Sequence, residues 1–224
     1  MSKKLIAALM ALAAFAAFAV SATSASALPV ITHPTGTVLA TGTNLLGTNI
    51  GETKFTSSTL STKCPTATLT GPLKKNSTAE GFEGEVTSAT FSGTGKESDC
   101  TAEGSFFTGS ARPTPEIAEG LPWCPKSGAT GDTFEIKGGA CGTPCAKIKF
   151  GLDLTGLVTC TYEKASLTGT FVTDTSGQDL TGKINEGQAW TLVSGFGCPS
   201  GPTLDMEFTE ETDTTPASPV YISS

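Results

Sequence analysis

The chain contains one histidine, one arginine, two tryptophans and two tyrosines among 224 residues. Each scarcity excludes something. Serine and cysteine nucleophiles draw on a nearby base, usually histidine. The single candidate, His33, lies in ITHPTG, and no strand–turn–helix nucleophile elbow occurs anywhere, so His33 reads as an exposed residue near the start of the exported chain. Arg112 is the sole arginine, and no basic cluster exceeds the pair Lys74-Lys75. A nucleic acid or an anionic membrane needs a basic face that displaces counterions, and none is available. Beyond residue 27 no stretch keeps the three-and-four spacing of an amphipathic helix, and no apolar run is long enough to span a bilayer.

The one long apolar run is Leu5–Val20, preceded by Lys3 and Lys4 and followed by SATSASA. It is short for a membrane span and ends in small residues at Ala25 and Ala27, so residues 1–27 read as a signal peptide cleaved after Ala27. That segment holds two lysines and no acid, so its removal shifts the net charge from −7 to −9. An acidic, sparsely charged, secreted bacterial protein is the expectation. All seven cysteines lie in the exported part: Cys64, Cys100, Cys124, Cys141, Cys145, Cys160 and Cys198. In an oxidising compartment they read as disulfide partners before metal ligands, with one left over.

What the chain has in abundance is threonine and glycine. Thr, Val, Ile and Phe on short alternating runs broken by Gly, Asp, Asn and Ser are strand-and-turn chemistry. In AKIKFGLDLT, Ile148, Phe150, Leu152 and Leu154 share one face; in PTLDMEFTEE, Leu204, Met206 and Phe208 do. EGEVTSATF, DTFEIKG and PVYIS are further strands. One apolar and one polar face is what a two-layer sandwich or small barrel demands. The fold class is therefore all-β: an antiparallel β-sandwich or small β-barrel made of two related halves and stapled by disulfides. Residues 28–58 read as a lead-in or weak edge strand, and residues 59–224 as the β domain, with halves of about 59–145 and 146–224.

The halves rest on a repeat. STKCPTATLTG and VTCTYEKASLTG each set a cysteine ahead of Leu-Thr-Gly, and 29 residues separate Gly71 from Cys100, as 29 separate Gly169 from Cys198. Equal spacing pairs Cys64 with Cys100 and Cys160 with Cys198, and leaves Cys124 with Cys141 or Cys145. In each copy the leucine reads as core, the glycine as a turn and the cysteine as one end of a staple.

CTYEKASLTGTF, FGCPSGPTLDMEFT and the closing PVYIS resemble a group of uncharacterised secreted proteins of actinobacteria. The group pattern has a cysteine before a Leu-Thr-Gly-like turn, a TFSG-type strand before a second cysteine, and a Leu-Pro-Trp step. Here these are Cys64–Gly71, Ala89–Gly93 with Cys100, and Leu121-Pro122-Trp123. More distantly the layout is similar to the secreted protein called activator of alkane oxidation. The resemblance implies a β-sandwich or barrel and an extracellular location, and it brings no catalytic residues. Cys124 directly after the tryptophan and the CGTPC motif depart from the pattern, which points to an extra local bridge.

Chemistry-bearing constellations are thin. Cys124, Cys141 and Cys145 offer three thiolates where structural zinc prefers four ligands, and export favours oxidation. Asp174 and Asp179 in DTSGQD lack the alternating ligands of a calcium loop and read as a hairpin turn. Glu83, Glu85, Asp153, Asp205 and Glu207 lie on strand runs and supply glycosidase carboxylates only if two converge. Asn76, in NST, reads as a polar turn. Among Trp123, Trp190, Tyr162 and Tyr221, Trp123 reads as a core ring beside a disulfide, and Trp190, after a polar turn, as the surface aromatic able to contact a ligand. The expectation is a non-catalytic extracellular or surface protein without cofactor or metal, partnered by a polysaccharide or another surface protein. A carbohydrate-binding module is the alternative, and a glycosidase-like enzyme follows it.

Overall fold

The computed structural model describes residues 27–92, 100–104, 112–113, 116–128, 132–143, 147–154, 158–173, 180–214 and 217–223. Every regular element among them is a β-strand, and all strand pairs are antiparallel. The organising element is Thr66–Ser77, twelve residues long. Along one edge its first half pairs with Ser88–Ser92 and its second half with Gly81–Gly84, while Asn44–Asn49 covers the other edge. The second half therefore closes a ring: Thr66–Ser77, Asn44–Asn49, Glu207–Thr212, Leu180–Ile184, Ser166–Thr173, Thr133–Gly138, Trp123–Ser127, Gly81–Gly84 and back, an eight-stranded barrel.

The first half of the same strand leads out of the barrel. The sheet continues through Ser88–Ser92, Glu116–Glu119, Ile148–Leu154 and Val158–Lys164 to Thr191–Ser194. A separate five-stranded sheet, Thr203–Asp205, Thr53–Thr56, Leu60–Cys64, Thr101–Gly104 and Arg112–Pro113, faces it. Phe55, fully inside, joins the layers: its ring lies 5.0 Å from that of Phe150 and 5.2 Å from that of Tyr162. Barrel and sandwich thus coexist, sharing one strand and one continuous apolar core.

The Leu-Thr-Gly repeat maps onto the junction between them. Hairpin Thr53–Thr56/Leu60–Cys64 is followed by the barrel pair Thr66–Ser77/Gly81–Gly84, and hairpin Ile148–Leu154/Val158–Lys164 by the barrel pair Ser166–Thr173/Leu180–Ile184. In each copy the cysteine ends or centres the outer strand and the leucine, Leu69 or Leu167, enters the core. The glycines differ from the turn expected of them. Gly71 and Gly169 sit within strands, where a Cβ would lie 1.7 Å from Glu85 O and 2.1 Å from the Phe134 ring. Three disulfides close the outer sheets and the Cys124 hairpin: Cys64–Cys100, Cys160–Cys198 and Cys124–Cys141. Cys145 lies outside the described residues.

Residues 28–58 correct the lead-in reading. Asn44–Asn49 is an interior barrel stave paired on both sides, and Thr53–Thr56 has a neighbour on each side in the five-stranded sheet. The low strand propensity of the glycines and asparagines in this stretch is overridden by partners that supply both ladders. Further upstream, Val30–Thr32 pairs with Tyr221–Ser223 as a two-stranded ribbon against the barrel, with Val30 and Ile31 buried. Asn76 fastens it rather than forming a turn: Ile31 N donates to Asn76 Oδ1 at 2.8 Å, and Asn76 Nδ2 donates to Ile31 O and Leu39 O at 2.7 and 3.0 Å.

Candidate functional site

The barrel interior follows from alternation. On Thr133–Gly138, Phe134 and Ile136 point in and Glu135 and Lys137 point out; on Leu180–Ile184, Leu180 and Ile184 point in and Lys183 out. Repeated around eight strands, this gives an apolar lumen. Two of its rings lie across glycine backbones, Phe134 over Gly169 and Phe208 over Gly182, which only a residue without Cβ allows. Phe134 stands 4.8 Å from Phe171 and 5.9 Å from Phe208, and Phe171 5.6 Å from Phe82.

The packing leaves a cavity of about 50 Å³ lined by Leu45, Leu73, Phe82, Phe171, Leu180 and neighbours, with Ile31 of the ribbon at its edge. Among the described residues, the one charged residue lining it is Glu210, in the inward register that Phe208 begins. The carboxylate lies over Gly47: a Cβ there would be 3.2 Å from Glu210 Oε1 and 3.6 Å from Leu69 Cβ. Among the described residues the carboxyl has no ion-pair or hydrogen-bond partner. Glu210 is half-buried, and desolvation against the apolar wall raises its pKa from the ordinary 4.5 to about 7. The sequence held a signal for it, because the alternation Leu204, Met206, Phe208 runs on to an acid.

A second cavity of about 30 Å³ adjoins the first through Leu69, Val86, Ile136 and Phe208, and reaches Trp123 and Trp190. Trp190 corrects the surface expectation. It is 3 % exposed, its ring packs near Phe55 and Phe150, and its indole Nε1 has no hydrogen-bond partner among the described residues. Tyr162 is equally buried; its hydroxyl donates to Pro199 O at 3.0 Å, and burial pushes the phenol up to about 12. Trp123 packs in the core and its Nε1 donates to Glu119 O at 3.1 Å, while Tyr221 is partly exposed on the ribbon. Among the described residues, the large aromatic that does face solvent is Phe196, 96 % exposed between Gly195 and Gly197. Nothing in the alternation pattern marks it.

The other candidates separate. Glu83 and Glu85 are engaged by Lys75 and Lys74 at 3.4 and 3.6 Å on the outer barrel wall. Asp205 and Glu207 flank Lys183, whose ammonium is held above its ordinary value first by a hydrogen bond to Glu186 and then by these carboxylates. The side chain of Asp153, like Asp174 and Asp179, lies outside the described residues. His33 closes a tight turn through its backbone, Gly36 N donating to His33 O at 2.9 Å. The Cys124–Cys141 bond removes two of the three thiolates of a zinc corner, and no group of three or more potential metal ligands occurs among the described residues. Beside that disulfide a polar hollow of about 250 Å³ is walled by Glu83, Lys126, Lys137 and the 138–143 turn. Its charges are already paired: Lys126 and Lys137 with Glu135 at 3.8 and 3.1 Å, and Glu83 with Lys75.

No helix among the described residues is long and apolar enough to cross a membrane. Comparison of the chain with protein-family models, with curated proteins and with solved structures finds no match.

Proposed function

We propose that this chain is an exported, non-catalytic protein that acts by binding, and that the barrel lumen is where it binds. The observation that carries this reading is an apolar cavity holding one carboxyl that has no partner among the described residues. An eight-stranded barrel that serves as scaffold alone fills its interior with side chains. A carboxyl left alone against an apolar wall costs desolvation energy, which a ligand group can offset. Export is supported by the signal-like residues 1–27 and by three disulfides, which persist in oxidising compartments. Burial of Trp123, Trp190 and Tyr162 removes the stacking faces that a polysaccharide would use there, and favours a lumen ligand over a sugar laid along a sheet.

Xenon is an apolar probe small enough for such a space. In methyl-resolved NMR of the chain from Leu28 onward, xenon under pressure is expected to shift the methyl signals of Leu45, Leu73 and Leu180 in a saturable way. A linear, non-saturating response spread evenly over all methyls overturns the lumen as a binding site.

A further inference from the structure

We propose that the lumen selects small amphiphiles carrying a protonated amino group, with Glu210 receiving the ammonium and the aliphatic wall receiving the hydrocarbon part. This deepens the lumen reading and rests on it. The cavity presents hydrocarbon from Leu45, Leu73, Leu180 and the edges of Phe82 and Phe171, and one acceptor. Water alone meets that demand poorly, since an ordered buried water wants about three polar partners and the wall supplies only the carboxyl. A ligand of a few heavy atoms, or the alkyl end of a larger one, matches a volume of about 50 Å³.

The charge of the preferred ligand follows from what faces Glu210. The flanking staves bring no cation inward: Asn44–Asn49 has no charged residue, and Lys183 on Leu180–Ile184 points out to Glu186. Across the lumen, Lys74 and Lys75 are held outside by Glu85 and Glu83, and Lys126 and Lys137 by Glu135. Ser166–Thr173 and the ribbon strands carry no charged residue, and Glu211, Glu210's neighbour on its own strand, takes the opposite register. Among the described residues no protein cation competes for the carboxylate. A charge-assisted bond from an ammonium to this half-buried carboxylate, set against an apolar wall, is the strong interaction this site can offer.

The test compares butan-1-amine with butan-1-ol, which share the hydrocarbon and differ in charge, by the same methyl shifts. At pH 8 the amine is expected to bind at least about tenfold more tightly than the alcohol. The preference should fade as pH falls through about 7, where Glu210 takes up its proton, and alcohol binding should stay flat. Glu210→Gln, which keeps the side-chain shape, should bind the alcohol as before and lose the preference for amine. If the alcohol binds and the amine gains nothing, or keeps its advantage in Glu210→Gln, the selectivity is overturned while the lumen site stands. If neither compound moves the lumen methyls of the wild-type chain, both fall together.

Discussion

Glu210 occupies a register that its strand otherwise gives to residues turned inward, Phe208 before it and the buried Thr212 after it. Its carboxyl titrates near 7 in the fold and near 4.5 as an ordinary glutamate. Between those values the native state holds the proton that the unfolded chain releases, so stability falls as pH rises through this window. Below pH 4.5 both states are protonated and the residue costs nothing electrostatically; above 7 the whole cost is present. Glu210→Gln should therefore change urea-unfolding stability little at pH 4 and raise it by on the order of 2 kcal/mol at pH 8. An equal effect at both pH values would show that the carboxylate is not desolvated. In the sequence this residue was half legible. The alternation of PTLDMEFTEE extends to Glu210, but the same run crosses from one sheet to another at Met206, so period alone cannot say which face beyond that point is interior. Trp190 shows the converse: a polar turn precedes it, yet its ring is drawn into the space between sheets by Phe55 and Phe150, residues distant in the chain.

At the level of elements, the two Leu-Thr-Gly strands explain why the repeat ends in glycine. Each strand must pass beneath a neighbour, the backbone at Glu85 for Gly71 and the Phe134 ring with Lys183 O for Gly169. A turn glycine and a mid-strand glycine look alike in a sequence, since both are defined by what they lack; the crowding atom belongs to another strand. The alternating strands and the pairs Cys64–Cys100 and Cys160–Cys198 were readable because period two and equal spacing are local properties. The closure of eight staves was not, because it depends on Thr66–Ser77 changing partners midway, from Ser88–Ser92 to Gly81–Gly84. Gly169→Ala places a methyl 2.1 Å from Phe134 Cζ and 2.5 Å from Lys183 O, and a backbone atom cannot step aside as a side chain does. The expected loss is about 1–3 kcal/mol in denaturant unfolding, typical of overpacking. Wild-type stability in Gly169→Ala would mean that the staves there are not in close contact.

For the whole molecule, the shared strand decides whether barrel and sandwich unfold together. Thr66–Ser77 hydrogen-bonds into both lobes, and the buried side chains run without a break from Phe82 and Phe171 in the barrel to Phe55 and Tyr162 between the sheets. Leu69, Val86, Ile136 and Phe208 line both cavities, so neither lobe can expose its core without opening the other. Continuity of this kind predicts one cooperative unit. The Cys64–Cys100 bond lies wholly in the sandwich lobe and closes a span of 36 residues, worth roughly 3–4 kcal/mol by the chain-entropy account. Removing it as Cys64→Ala/Cys100→Ala should lower hydrogen-exchange protection by that same amount in two places: on Leu60–Cys64, beside the lost bond, and on Thr133–Gly138, across the barrel, which pairs with Trp123–Ser127 and Ser166–Thr173 and with neither cysteine's strand. Protection lost on Leu60–Cys64 and kept on Thr133–Gly138 would mean that the sandwich opens by itself, and that Thr66–Ser77 joins two units instead of forming one.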